Sequence, residues 1–159
     1  MPQKNRGRRT LFHSFRDAFR GVWLCLRSER NMRIHAITCG YVLFFALQIG
    51  VSQGELAVLL LAMGMVTAAE ALNTAVEKLC DFTEPKQDWR IGFVKDIAAG
   101  GVVLSAAFAA LAGVAILARP ALWQVLTDLA GAPWKLIVLA ISLVAGGLLV
   151  FAVPIKRGK

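Results

Sequence analysis

Four long runs with few or no charges divide this chain. The first covers residues 36–51 and extends back to Ile34 across His35. The second covers 56–79 and is broken by Glu70, Glu77 and Lys78. The third, 97–118, and the fourth, 136–155, hold no charge. A helix rising about 1.5 Å per residue needs roughly 20 residues to cross the hydrocarbon core of a bilayer. The third and fourth runs meet that length directly. The first meets it with Arg33 or His35 at the interface, and the second with its polar residues near or inside the membrane. Ahead of them, residues 14–28 place Phe15, Ala18, Phe19, Val22 and Leu26 on one helical face and Arg16, Arg20 and Arg27 on the other. This predicts a helix lying in the membrane interface, with its basic side toward anionic headgroups. Ser14 and Asp17 have the spacing of a capping box at its start. The expected fold is an all-α membrane protein with a surface helix and four crossings.

Composition supports the lipid environment. Apolar residues make up 57 % of the 159, above the roughly 45–50 % of soluble chains. The net charge of +8 raises nucleic-acid binding as a possibility, but the basic residues flank apolar runs and line no single face. Their distribution predicts topology instead. Nine Lys and Arg lie in residues 1–33, four in 78–95 and three in 156–159, whereas the short turn 51–55 has none. Both termini and the second loop are therefore expected in the cytoplasm, as four crossings require. No signal peptide is expected, because the first apolar run begins late. Cys25, Cys39 and Cys80 show no CxxC or metal spacing and read as packing residues. Gly101, Ser105, Ala109 and Gly113 recur every four residues, a stripe that lets helices approach closely in lipid.

The second run carries the chemistry. Glu70, Asn73, Thr74, Glu77 and Asp81 advance by three or four and share one helix face. A carboxylate inside a membrane helix costs about 3 kcal/mol on insertion scales. Hydrogen bonding between helices explains Asn73 and Thr74 but not two acids followed by a third. Glu77 and Asp81 lie near the cytoplasmic end, where oxygen ligands suit Mg²⁺ with phosphates. Glu70 lies about 10 Å deeper, at the level of a lipid hydroxyl, where a carboxylate suits proton acceptance. Lys95, with Asp96, opens the third membrane helix and could neutralise phosphate charge. This layout fits phosphoryl transfer to an alcohol held in the bilayer. The chain has no GxxxxGK[ST] loop and no HRD or DFG motif, so nucleotide binding by a familiar soluble fold is excluded.

The run Glu70-x-x-Asn73-Thr74-Ala75-Val76-Glu77-x-x-x-Asp81 resembles the signature of the small bacterial integral membrane diacylglycerol kinase and undecaprenol kinase family. Glu29-Arg30-Asn31-Met32-Arg33-Ile34-His35 is similar to the start of the first membrane helix in the undecaprenol kinase branch, and Lys95-Asp96-Ile97-Ala98-Ala99-Gly100 to the start of its third. Ser14-Phe15, Ala18 and Gly21 are similar to its surface helix. The resemblance covers roughly residues 14–118, with segments in order and at the right spacing. It implies an ATP-dependent lipid kinase of the inner membrane, a homotrimer of three-helix subunits with active sites at subunit boundaries. It implies Glu70 as general base, Asn73 as an orienting residue, and Glu29 and Glu77 as holders of the Mg²⁺ that bridges ATP phosphates. Lys95 and Asp96 would contact the nucleotide, and in the loop where this chain departs from the family Lys86, Asp88 and Trp89 are the candidates for its adenosine contacts. Arg30, Asn31, Arg33, Ile34 and Ala99 would lie beside the lipid. Read without the resemblance, Glu29 is a solvated charge.

Two departures stand out. Gln87-Asp88-Trp89 occupies the place where the family often has Tyr-His, and the chain continues past the usual end into a fourth apolar run. The expected organisation is a basic tail at 1–13, a kinase domain at 14–118 and an added hairpin at 119–159, with Gly146-Gly147 available for close packing. The acceptor is undecaprenol or diacylglycerol, with residues 30–35 and 98–100 leaning toward the polyprenol. The competing expectation is a non-enzymatic membrane protein that uses Glu70 and Glu77 as an ion path or assembly element.

Overall fold

The computed structural model describes residues 11–83 and 88–152. It is built of six helices: α1 (Leu11–Ser28), α2 (Arg30–Ile49), α3 (Gln53–Thr83), α4 (Trp89–Leu117), α5 (Pro120–Ala130) and α6 (Pro133–Phe151). Of these, α2, α3, α4 and α6 are long and apolar enough to cross a membrane. The outer surface is apolar, as a bilayer demands, and polar residues join the apolar ones inside. Leu61, Met65, Phe108, Ile141 and Val144 are exposed, while the buried set includes Arg33, Glu70, Asn73 and Thr74.

Helix boundaries follow local chemistry. Gly50 ends α2 in the left-handed conformation, at φ 70°, which glycine reaches without a Cβ penalty. A capping box then starts α3: the Ser52 hydroxyl and backbone N–H both donate to the Glu55 carboxylate at 2.9 and 2.8 Å, and Glu55 N–H donates back to Ser52 Oγ at 3.3 Å. The box expected at Ser14 and Asp17 is corrected: α1 begins at Leu11, so Ser14 lies inside the helix. No Gly or Pro separates residues 11–13 from Ser14, and the helix simply extends through them. The connection between the third and fourth crossings holds a further helix, α5, started by Pro120 at its first turn.

Lengths set the vertical arrangement. The 31 residues of α3 span about 46 Å, more than the roughly 30 Å hydrocarbon core. With Gln53 at one surface, about 20 residues reach the other near residue 73. On that register Glu70 falls just inside the boundary, and Glu77 and Asp81 fall beyond it. This placement reduces the cost that a mid-membrane acid would carry.

The α3–α4 hairpin forms the densest packing, and α2 lies against α3. On its outer side α2 meets α6, which runs antiparallel to it. Tyr41 and Ser142 share a hydrogen bond at 2.9 Å, and one turn further along, a Cβ at Gly146 would meet the Ile37 side chain at 3.5 Å. The close approach expected for the stripe on α4 does not occur within the chain. A Cβ at Gly101 or Gly113 would meet nothing within 4 Å: Gly101 is exposed, and Gly113 with Ala109 lines a cavity of about 430 Å³ between α2, α3, α4 and α5.

Candidate functional site

The site forms where the α1–α2 junction meets the second half of α3. Glu70 is 2 % exposed, and its Oε2 is buried without a hydrogen-bond partner. One turn along, the Asn73 amide donates to Glu77 Oε1 at 3.0 Å and holds that carboxylate on the shared face. Thr74 donates to the Glu70 carbonyl at 2.9 Å and accepts from the Cys25 thiol at 3.4 Å. That contact fastens the surface helix α1 to α3. Burial pushes the Cys25 thiol up from its ordinary value, outweighing the Thr74 hydrogen bond, so it behaves as an inert packing residue.

Glu29 is the residue that unaided reading of the sequence missed. It stands between α1 and α2 as the N-cap of α2, with no capping bond from its side chain. It is half-buried, and its charge and that of Glu77 both act on Glu70. The charge of Glu29 thus reaches Glu70 from about forty residues upstream. The isolated Glu29 belongs to no periodic run, so only the resemblance pointed to it. Its Oε1 has no hydrogen bond of good geometry, but Lys78 Nζ lies 3.3 Å away. Lys78 thus pairs with Glu29 across the junction of α1–α2 with α3.

The remaining predicted residues divide by position. Lys95 bonds to Asp81 at 2.5 Å, joining the site ends of α3 and α4. Asp88 caps α4 by accepting from Arg90 N–H at 2.7 Å, so its carboxylate has a local structural task. Trp89 and Asp96 are exposed. Arg33 is buried, whereas Arg30, Asn31, Ile34 and Ala99 are exposed. Lys86 lies outside the described residues. Among the described residues, no three of His, Cys, Asp and Glu come close enough to hold a metal ion by themselves.

The cavity continues the same face of α3 away from the site. Val66, Met63 and Leu59 precede Glu70 at helical spacing and line it, together with His35 and Val42 of α2. A polar, acid-rich end therefore passes directly into an apolar groove. Such a surface can hold a molecule that is charged or hydroxylated at one end and apolar along its length.

A sequence profile of the family described as prokaryotic diacylglycerol kinase matches residues 16–117. An undecaprenol kinase of Bacillus subtilis is 34 % identical over 105 residues, covering 66 % of this chain and 85 % of that protein. A diacylglycerol kinase of Synechocystis is 36 % identical over 113 residues, covering 70 % of this chain and 65 % of that protein. No solved structure matches. The matched segment ends at the close of α4 and leaves α5 and α6 outside it.

Proposed function

This chain belongs to the prokaryotic diacylglycerol kinase family and is a lipid kinase, and from that premise we propose that it transfers the γ-phosphoryl group of ATP to the hydroxyl of a polyprenol such as undecaprenol. The observation that carries the mechanism is the unpartnered, buried Glu70 carboxylate beside Glu29 and Glu77. Glu70 takes the proton of the lipid hydroxyl. The hydroxyl oxygen forms its bond to the γ-phosphorus as the bond from that phosphorus to the β–γ bridging oxygen breaks, and ADP leaves. The protein's part is mostly placement and charge, as phosphoryl transfer asks.

The carboxylates of Glu29 and Glu77 fit Mg²⁺. They present hard oxygen ligands, and Lys78 already places a cation beside Glu29. Mg²⁺ binds well to two carboxylates when phosphates and water complete its shell. When bound, it would neutralise charge on the transferring phosphates. Asn73 orients Glu77 through its amide. Lys95 and Asp96 in the first turns of α4 lie toward the nucleotide, with Asp88 at the N-cap and Trp89 at the first position of that helix; Lys86, in the sequence just before them, completes the nucleotide set. Lys95 exchanges its Asp81 partner for phosphate oxygens when ATP arrives.

The polyprenol reading draws on the apolar groove below Glu70 and on residues 30–35 and 98–100. Diacylglycerol is the second reading, favoured by the Synechocystis relative. The kinase unit spans 14–118, works as a trimer, and keeps both termini in the cytoplasm of a bacterial inner membrane. Radiolabelled ATP offered with each alcohol in mixed micelles tests the acceptor. We expect faster labelling of undecaprenol, lost with EDTA and restored by Mg²⁺. Preferential labelling of diacylglycerol would reverse the assignment, and labelling of neither would remove the reading altogether.

A further inference from the structure

We propose that α6 braces the first turn of α2 from outside the family-matched segment, and that Phe151 is a positioning residue holding Arg30 for the acceptor lipid's polar end. The inference rests on the reading of Arg30 as a headgroup neighbour.

Three successive contacts support it. Tyr41 meets Ser142 at 2.9 Å, Ile37 faces Gly146, and the Arg30 guanidinium lies 5.9 Å from the centre of the Phe151 ring. Positions 30, 37 and 41 share one side of α2, and α6 follows that side to the site end. There the helix carries Glu29, Arg30 and Arg33 together. Arg30 is a cation at the positive end of the helix dipole, next to the N-cap Glu29. The negative face of an aromatic ring attracts that cation and limits where the guanidinium can go.

Phe151 is not there to fill a core. It is 73 % exposed, whereas Val150 beside it is 7 % exposed. Packing of α6 is served by Val150 and Gly146, and Phe151 is left to face the cation. Its loss should therefore leave the fold in place and release Arg30.

The full chain, purified in mixed micelles, provides the test, with undecaprenol and ATP varied separately. Exposed cation–π contacts translate to about two- to fivefold in an equilibrium. We expect Phe151→Leu to raise the KM for the lipid by about that factor, with kcat and the KM for ATP unchanged, and Phe151→Trp to restore it. Replacing Phe151 with pentafluorophenylalanine keeps the ring's shape and reverses its charge distribution. It should act like Leu and serves if Phe151→Leu does not fold. In an Arg30→Ala background, Phe151→Leu should add nothing. If Arg30→Ala leaves the lipid KM unchanged, the reading of Arg30 fails. If Arg30→Ala raises it while Phe151→Leu and the fluorinated ring do not, the brace fails and the Arg30 reading stands. A fall in kcat shared by both substrates and unrescued by Trp would make Phe151 merely structural and overturn the inference.

Discussion

At the scale of single residues, the site depends on acids whose surroundings differ. Glu70 is enclosed with one oxygen unpartnered, Glu77 is held by an amide, and Asp81 is exposed and neutralised by Lys95. Their common face was legible because three- and four-residue steps can only align on a helix. That Glu70 lies deeper than Asp81 was legible from its place along the helix; that α1 fastens to α3 beside it, through Cys25 and Thr74, was not. Asn73 gives a direct test of the division of labour. Partners that orient a metal ligand typically affect metal affinity or activity by about 10- to 100-fold. Asn73→Ala should raise the Mg²⁺ concentration giving half-maximal rate by that factor, with kcat at saturating Mg²⁺ largely kept. A lowered kcat at an unchanged Mg²⁺ requirement would mean that Asn73 touches substrate instead. Lys78→Ala should do the opposite: removing the ammonium beside Glu29 frees that carboxylate, so a titration of rate against Mg²⁺ should move to lower concentration.

Among the elements, the four apolar runs were readable from length alone, and their helices begin and end within several residues of them. α5 was not read, because Thr127 and Asp128 interrupt its apolar residues and it is only 11 residues long. Pro120 at its start was the available signal. The pairing of Glu29 with α3 was beyond periodicity, since it joins segments separated by a whole membrane crossing. The α2–α6 contact has a graded consequence. At Gly146 an added Cβ would stand at ordinary contact distance from Ile37. Gly146→Ala should therefore leave thermal stability in detergent nearly unchanged. Gly146→Leu should cost about 1–3 kcal/mol through overpacking and lower the unfolding midpoint measurably. Equal behaviour of the two variants would show that α6 does not lie on α2 at this point.

For the whole molecule, an acid-lined end and an apolar groove are joined along α3, while most of the outer surface is apolar. The opposite end is closed by an ion pair between Arg119 and Glu55, which ties the start of α5 to the start of α3. Within one chain, Glu29 and Glu77 both lie near enough for their charges to be felt at Glu70. If the chain assembles as a trimer, mixing Glu29→Gln subunits with Glu70→Gln subunits should give almost no activity, because each site keeps one damaged acid. Substantial recovery in the mixture would place the two acids of a working site on different chains.

The central claim is that Glu70 accepts the proton from the lipid hydroxyl. Single-turnover transfer from labelled ATP to undecaprenol, measured for wild type and Glu70→Gln at saturating Mg²⁺, tests it most directly. General-base catalysis is worth about 10²- to 10⁴-fold. Glu70→Gln should lose at least about a hundredfold in the transfer step, with ATP still bound and the assembly intact. Transfer by Glu70→Gln at the wild-type rate would contradict that claim.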